Sequence, residues 1–280
     1  MKPLERSESR EFVEALARGI EVIRSFDTMH MAMSVSEVAA RTGLARPTAR
    51  RLLITLEHLG YVRSVDGVYS LTAQVLELGT AYISSLGVWD LARPHMEALV
   101  EKTHESSSMS QLDGSDIVYV ARVAVPKIIA LSVTIGTRFP AVATSMGRVL
   151  LASLDDSALD SALAVPSLSG VVPRVAPGRD ALEAELARVR EQGWAMSDEQ
   201  LSVGIRSVAV PVIGADGSVA AAMNVTTHAA ETSIDRLLGE HLPRLLDAAR
   251  AIGAEWSHLA RLPSVDIGSS GSTGKDPTQR

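Results

Sequence analysis

Residues 34–61, SVSEVAARTGLARPTARRLLITLEHLGY, decide how the first part of the chain folds. Ser34 is placed to cap a helix, and Glu37 three residues on completes the capping-box spacing. Val38, Ala39 and Leu44 are its apolar positions. Gly43 can adopt the left-handed backbone that ends a helix and opens a turn. Pro47 suits the first position of a second helix, where its missing N–H costs nothing. Leu52, Leu53, Leu56 and Leu59 then recur at three- and four-residue steps, which predicts one buried stripe. The stretch reads as two short helices joined by a tight turn.

Its charge says what the second helix is for. Between positions 41 and 63 stand five arginines (41, 46, 50, 51 and 63) and one acid, Glu57, a local net of +4 in a chain of net charge −6. Residues 1–80 hold ten Lys/Arg and ten Asp/Glu, so the basic charge is concentrated rather than general. Arg46, Thr48, Arg50 and Arg51 fall at the start of the second helix, where a recognition helix meets base edges and phosphates. A helical hairpin with a solvated arginine face would share this pattern. The following residues separate the two. Residues 61–65 and 68–71 are β-prone runs around Asp66-Gly67, the signature of a tight hairpin. A hairpin directly after such a helix is a wing, and Arg63 on it is placed for a phosphate or the minor groove. Double-stranded DNA is therefore the expected partner.

Composition sets the remaining bounds. A chain of 280 residues that is 46% apolar has material for one large or two medium cores. No run resembles a membrane span, and the charged N-terminus holds no apolar signal core. With no cysteine, disulfides, thiolate metal sites and a cysteine nucleophile are excluded. The expectation is a cytoplasmic protein without cofactor or metal. There is no G-x-S-x-G elbow, P-loop or G-x-G-x-x-G. The seven histidines show no metal spacing, so no enzyme is expected.

Taken in order, residues 1–10 form a flexible N-terminus and residues 11–72 a winged helix-turn-helix domain. Its first helix spans 11–26, with Phe12, Leu16, Ile20, Ile23 and Phe26 packing behind the other two. Residues 27–33 are a connecting loop with a hydrophobic plug. Residues 73–87 read as a linker helix and dimer contact. Residues 88–262 form a second domain of mixed character, and residues 263–280 a Gly/Ser-rich disordered tail. The second domain begins with a helix over 89–103, followed by strands at 106–112, 117–125 and 128–135. A loop over 136–144 leads to helices at 145–154, 157–165 and 180–192. A hairpin spans 206–227, and a closing helix over 231–262 is kinked near Pro243. Hairpins rather than βαβ units make the fold class α+β.

The chain resembles the IclR-type transcriptional regulators over residues 11–260. The resemblance rests on Ala17-Arg18-Gly19-Ile20, Glu37-Val38-Ala39, Thr42-Gly43-Leu44, Arg46-Pro47-Thr48 and Arg51-Leu52-Leu53. In the second half it rests on Gly136-Thr137-Arg138, Ser145-Met146-Gly147-Arg148-Val149-Leu150-Leu151-Ala152 and Gly204-Ile205-Arg206-Ser207-Val208-Ala209-Val210-Pro211. Leu201 and Asn224-Val225-Thr226-Thr227-His228 make it similar to the PcaR/PcaU/PobR subgroup, which governs aromatic-acid breakdown through the β-ketoadipate pathway. Many of these proteins have Lys where this chain has Arg148. The resemblance implies a winged helix-turn-helix, a linker helix and a GAF-like effector domain, assembled as a homodimer or homotetramer on a palindromic operator. It implies an effector pocket including Thr144, Ser145, Met146, Ser197, Ser207, Asn224 and Thr226. The relatives' pocket carboxylate aligns near Ser197, so Asp198 one residue on joins the candidates.

The residues themselves support a small-ligand site. A helix beginning at Ser145 offers free N–H groups and a dipole to a carboxylate. Asn224 and Thr226 alternate on a strand and share a face. Arg206 and Ser207 face opposite ways, so only one can line a cavity. Each has a plainer reading: Ser145 as an ordinary cap, Asn224 and Thr226 as a solvent row, His228 as a surface residue. Together they predict a regulator of aromatic-acid catabolism genes that responds to an aromatic or β-ketoadipate-type acid. The alternatives are a constitutive DNA-binding regulator whose second domain only assembles subunits, and a regulator of the same type serving another carbon source.

Overall fold

The computed structural model describes residues 11–27, 29–78, 88–126 and 133–259. The chain forms two compact units, residues 1–85 and 86–280.

The first unit is a three-helix cluster with a small sheet. Helix α1 spans Glu14–Arg24, α2 spans Val35–Thr42 and α3 spans Arg46–His58. Ser34 caps α2 as its spacing requires: its hydroxyl accepts from Glu37 N at 3.4 Å, and its own N–H reaches the Glu37 carboxylate at 2.7 Å. Gly43 ends α2 with φ 67°, the left-handed backbone a residue without Cβ adopts freely. Strands β2 (Val62–Val65) and β3 (Val68–Leu71) pair antiparallel around Asp66 and Gly67, whose φ values of 52° and 77° match the turn that follows strand twist. The core joins Val22, Phe26, Val38, Ala49, Leu53, Leu56, Val62 and Tyr69.

Four expectations change here. Residues 32 and 33, expected as loop, join Ser34 in β1 (Ala32–Ser34), a third strand on β3 that buries Met33. Helix α3 begins at Arg46, one residue before Pro47. Leu59 leaves the buried stripe and is 55% exposed, because it follows the helix's last turn. The front of the α1 stripe does not pack behind the other helices: Leu16 and Ile20 are 63% and 44% exposed. Of the linker helix expected over 73–87, residues 75–78 are helical and 79–87 lie outside the described residues. So do the flexible N-terminus over 1–10 and the tail over 263–280.

The second unit is one antiparallel sheet with helices on both faces. In chain order it comprises α4 (Val88–Thr103), β4 (Ser106–Asp113), β5 (Asp116–Val123), β6 (Arg138–Pro140), α5 (Ser145–Ala152), α6 (Asp156–Ala164) and α7 (Arg179–Gln192). Strands β7 (Ala195–Asp198), β8 (Ile205–Ile213) and β9 (Val219–His228) follow, then α8 (Leu242–Leu259). Strand order is β6-β5-β4-β9-β8-β7. Period-2 alternation splits each strand between two cores. Met109, Val208, Val210, Met223 and Val225 face α4 and α8. Tyr119, Ala195, Ala209 and Ala222 face α5 and α7. The α+β class holds.

Most of the strand expected at 128–135 lies outside the described residues, and residues 133–135 are not strand. The edge strand is β6, within the segment expected as loop. Strand β7 had no counterpart in the sequence reading. The closing helix is interrupted by a π-helical turn at Leu237–His241. Pro243 has no N–H for the Gly239 carbonyl, so the break precedes it. Among the described residues, no helix is long and apolar enough to cross a membrane.

One arginine of the basic stretch is consumed in the fold. Arg41 bonds the Ser25 carbonyl at 3.0 Å and the Asp27 carboxylate at 2.7 Å, while His30 meets Asp27 at 2.8 Å. The His30 hydrogen bond, with the Met29 N–H and the Arg41 charge, holds the Asp27 carboxyl below its ordinary value. A carboxyl lowered on folding stabilises above its unfolded pKa, and the effect disappears as pH falls through the folded value. Thermal melting of the wild-type chain should therefore weaken below about pH 4. Asp27→Asn should melt lower at neutral pH and flatten that acid slope; an unchanged slope would remove Asp27 from the account.

Candidate functional site

Helix α3 is organised by its buried side, Ala49, Leu53 and Leu56. Successive side chains turn about 100°, so Arg51 stands opposite that side, with Arg46 and Arg50 on one flank. All three are exposed and have no hydrogen-bond or ion-pair partner among the described residues. Thr48 is different. It is half-buried on the other flank, on the side of Arg18 and Gly19 of α1. Arg63 is exposed on the wing and steadied by the Ser70 hydroxyl at 3.1 Å.

The second unit has a small cavity, open to solvent on one side, between its sheet and the start of α5. Its floor follows from strand register. Ser197 on β7 lies opposite Ser207 on β8, Ser207 opposite Thr226 on β9, and Thr226 opposite Ser106 on β4. One step along, Asn224 lies opposite Ser108, and Ser108 opposite Arg122 on β5. Residues i and i+2 share a face, so the two rows form one polar floor. Much of it is internally satisfied. Ser145 and Ser207 hydroxyls meet at 2.7 Å, and Ser197 bonds the Ala143 carbonyl at 3.1 Å. The Asn224 amide accepts from Ser108 N at 3.1 Å and donates to Thr226 at 3.0 Å.

Two further lining residues, Tyr119 and Arg122, owe their position to a bulge. Ser110 pairs with Tyr119 and Met109 with Ala121, leaving Val120 as an extra residue in β5. Strict alternation would send residues 119 and 122 to opposite faces. The extra residue restores them to the same one. Tyr119 packs edge-on against Phe139 with ring centroids 5.7 Å apart, and burial pushes its phenol up to about 12. Burial lowers the Arg122 pKa, with Tyr119 acting in the opposite direction.

The roof is the N-terminus of α5. Thr144 caps it, its hydroxyl accepting from Gly147 N at 3.0 Å. The Ser145 and Met146 N–H groups remain as the helix's open donors. Gly147 permits the seating: a Cβ there would stand 2.1 Å from the Ala141 carbonyl oxygen. Arg148 holds the roof to the sheet from behind. It is buried, bonds the Val142 and Met196 carbonyls at 3.1 Å each, and burial brings its pKa down to about 10.

Of the expected pocket residues, Thr144, Ser145, Met146, Ser197, Ser207, Asn224 and Thr226 all line this cavity. Asp198 does not. Alternation on β7 turns it away from Ser197, and its carboxylate takes the Arg206 guanidinium at 2.7 Å. Arg206 is thereby excluded too, and Ser207 is the member of that pair that faces in. His228 lines the rim rather than the surface. The sequence reading missed Arg122, Tyr119, Ser106 and Glu105. Arg122 was one charge in a β-prone run, and only the bulge aims it inward. Among the described residues, no group of three His, Asp or Glu could hold a metal ion.

An arginine-faced helix with a wing, joined in one chain to a sheet domain, is the make-up of a DNA-binding transcriptional regulator. A family model described as the IclR helix-turn-helix domain matches residues 15–66, and one described as bacterial transcriptional regulator IclR C-terminal matches residues 80–254. The chain belongs to the IclR family, whose members here are transcriptional regulators and not enzymes. It is 39% identical to the Pca regulon regulatory protein of Pseudomonas putida over 86% of this chain and 83% of that one. It is 30% identical to the p-hydroxybenzoate hydroxylase transcriptional activator of Acinetobacter baylyi, over 89% and 93%. A solved structure from Rhodococcus sp. RHA1 superposes with a TM-score of 0.78 at 46% identity, covering 89% of this chain and all of that one. An IclR homologue from Microbacterium hydrocarbonoxydans, solved with 4-hydroxybenzoate, has the same fold, with a TM-score of 0.75 at 24% identity over 87% and 99%.

Gly147 is the test of the roof. Gly147→Ala pushes a methyl into the Ala141 backbone, which no side-chain rotation relieves. It should destabilise the second unit by about 1–3 kcal/mol, lowering its melting transition. A transition unchanged in temperature would show that α5 is not seated this tightly.

Proposed function

We propose that this regulator controls genes of aromatic-acid breakdown and responds to a small organic acid bound in the cavity under α5. The observation that carries the reading is the cavity itself. A polar floor, two open helix N–H groups and a guanidinium line one cavity, which is the arrangement a carboxylate needs. The kinship supports the pathway: the relatives named above are regulators of the Pca regulon and of p-hydroxybenzoate hydroxylase, and the Microbacterium homologue carries 4-hydroxybenzoate. Differential affinity of the acid for two states of the protein would then change operator binding.

On DNA, Arg46, Arg50 and Arg51 read the major groove and Arg63 holds the backbone. Thr48, half-buried at the start of the same helix, adds a hydroxyl to the recognition set. A second copy of the chain completes a palindromic operator. Support for pairing comes from an apolar groove on the first unit, where Leu16, Ile20, Leu52, Leu59 and Leu78 line one open surface. Exposed apolar patches of this kind mark association surfaces. An operator titration should saturate at two or four chains; saturation at one would remove the groove from this role.

Arg50→Ala should cost about 1–3 kcal/mol on the operator and much less on random DNA. Arg63→Ala should weaken both equally and reduce the salt slope by about one. Equal losses on both DNAs for Arg50→Ala would contradict its assignment. For the cavity, 4-hydroxybenzoate, protocatechuate and adipate should be titrated against the purified chain by thermal shift. At a hundred times its Kd, an acid that binds only the folded state adds about 2.7 kcal/mol of stability. Absence of a shift with every acid would favour a constitutive regulator whose second unit serves assembly alone.

A further inference from the structure

We infer that Arg122, brought into the cavity by the β5 bulge, is the residue that reads the carboxylate of the effector. The inference rests on the effector reading above and assigns its charge recognition to one side chain. Three observations carry it.

The first is position. Arg122 stands on the bulged strand and lines the same cavity as Ser145 and Met146 at the start of α5. The second is lack of compensation. The guanidinium bonds only the Ser108 hydroxyl, at 3.0 Å, and no carboxylate pairs with it among the described residues. Compare the other arginines of this unit that turn inward: Arg138 meets Asp113 and Asp116, Arg206 meets Asp198, and Arg148 fills backbone carbonyls with Glu185 at 3.7 Å. Each has a structural partner set, whereas Arg122 keeps most of its five donors unused. Glu105 lines the same cavity, yet it takes the Thr232 hydroxyl at 3.4 Å and forms no ion pair with Arg122. The third is cost. A half-buried cation without a counter-ion is destabilised by lost hydration, and a planar carboxylate offsets that loss with two parallel hydrogen bonds. The Tyr119 phenol beside it stays neutral at ordinary pH, so it supplies a polar wall and no competing charge.

The bulge gives this assignment its logic. A single extra residue costs the strand a regular ladder step, and such irregularities serve to re-aim side chains. Here the gain is a guanidinium over the floor in place of one on the far face, where α4 and α8 pack.

The test measures binding by calorimetry of the full chain with 4-hydroxybenzoate, protocatechuate and adipate, each beside its neutral amide. Wild type should bind at least one acid and discriminate against its amide. Arg122→Gln should weaken the acid by about tenfold to a hundredfold and leave the amide nearly unchanged, closing the gap. Arg122→Lys, which keeps charge but loses the fork, should fall between. A structural role would instead lower the melting temperature of the ligand-free variants, whereas removing an uncompensated cation should leave it unchanged or raised. If Gln proves insoluble, Arg122→Met gives the same comparison. An acid bound equally by wild type and Arg122→Gln overturns this inference and leaves the effector reading standing. Failure of wild type to bind any acid overturns both.

Discussion

The second unit depends on one constraint: a β-strand must show alternate residues to opposite faces. The six strands follow it except at the β5 bulge and at one register shift between β8 and β9, and the sheet they make has two unlike sides. One side carries Met109, Val208, Val210, Met223 and Val225 into a continuous apolar core with α4 and α8. The other carries serines, Asn224 and Thr226 beneath α5. Burying so many hydroxyls is tolerable only because they pair with one another and with backbone. That pairing fixes the floor's shape, and the floor's shape fixes where α5 can sit. Gly147 closes the arrangement, since only a residue without Cβ lets the helix start lie against the Ala141 carbonyl.

The first unit obeys a different constraint, the division of arginines between fold and surface. Arg41 is spent on Asp27 and the Ser25 carbonyl, tying α2 to the end of α1. Arg46, Arg50 and Arg51 have no such duty among the described residues, and α3 holds them out because Ala49, Leu53 and Leu56 fill the opposite side. The bulk charge of the chain is negative, at −6. The field at α3 is therefore local, which suits a protein that must find one face of a duplex without coating it.

What could be read from the sequence was whatever depends on neighbours in the chain. The capping box at Ser34 and Glu37, the left-handed Gly43 and the Asp66-Gly67 turn are local chemistry, and each stands where its residues put it. The pocket residues Ser145, Ser207, Asn224 and Thr226 were found because a family pattern supplied the long-range pairing that spacing alone does not contain. What escaped was set by tertiary contact. Strand β1 exists because Met33 finds a core beside β3. The stripe of Leu16 and Ile20 has helical period but stays exposed among the described residues. Asp198 was misassigned by one position, and on a strand one position is the whole difference between inside and outside. Arg122 was hidden by the converse effect: an extra residue in β5 breaks the count on which any alternation argument relies.

The pattern of satisfied and unsatisfied groups says where selectivity must come from. Ser145, Ser197, Ser207, Thr226 and Asn224 already hold protein partners, so an incoming molecule must displace those bonds or accept what they leave over. Among the described residues, the Ser145 and Met146 N–H groups and the Arg122 fork are donors left over. An acceptor-rich group with its charge concentrated at one end matches these donors, while the Glu105 carboxylate on the same lining is an acceptor the cavity also presents. Polar sites reject molecules that leave buried donors unpaired far more strongly than apolar pockets reject a misfit of size. On the proposed reading these donors hold the charged end of the ligand, and the apolar side chains Met146, Val133 and Leu201 complete the wall around the rest of it.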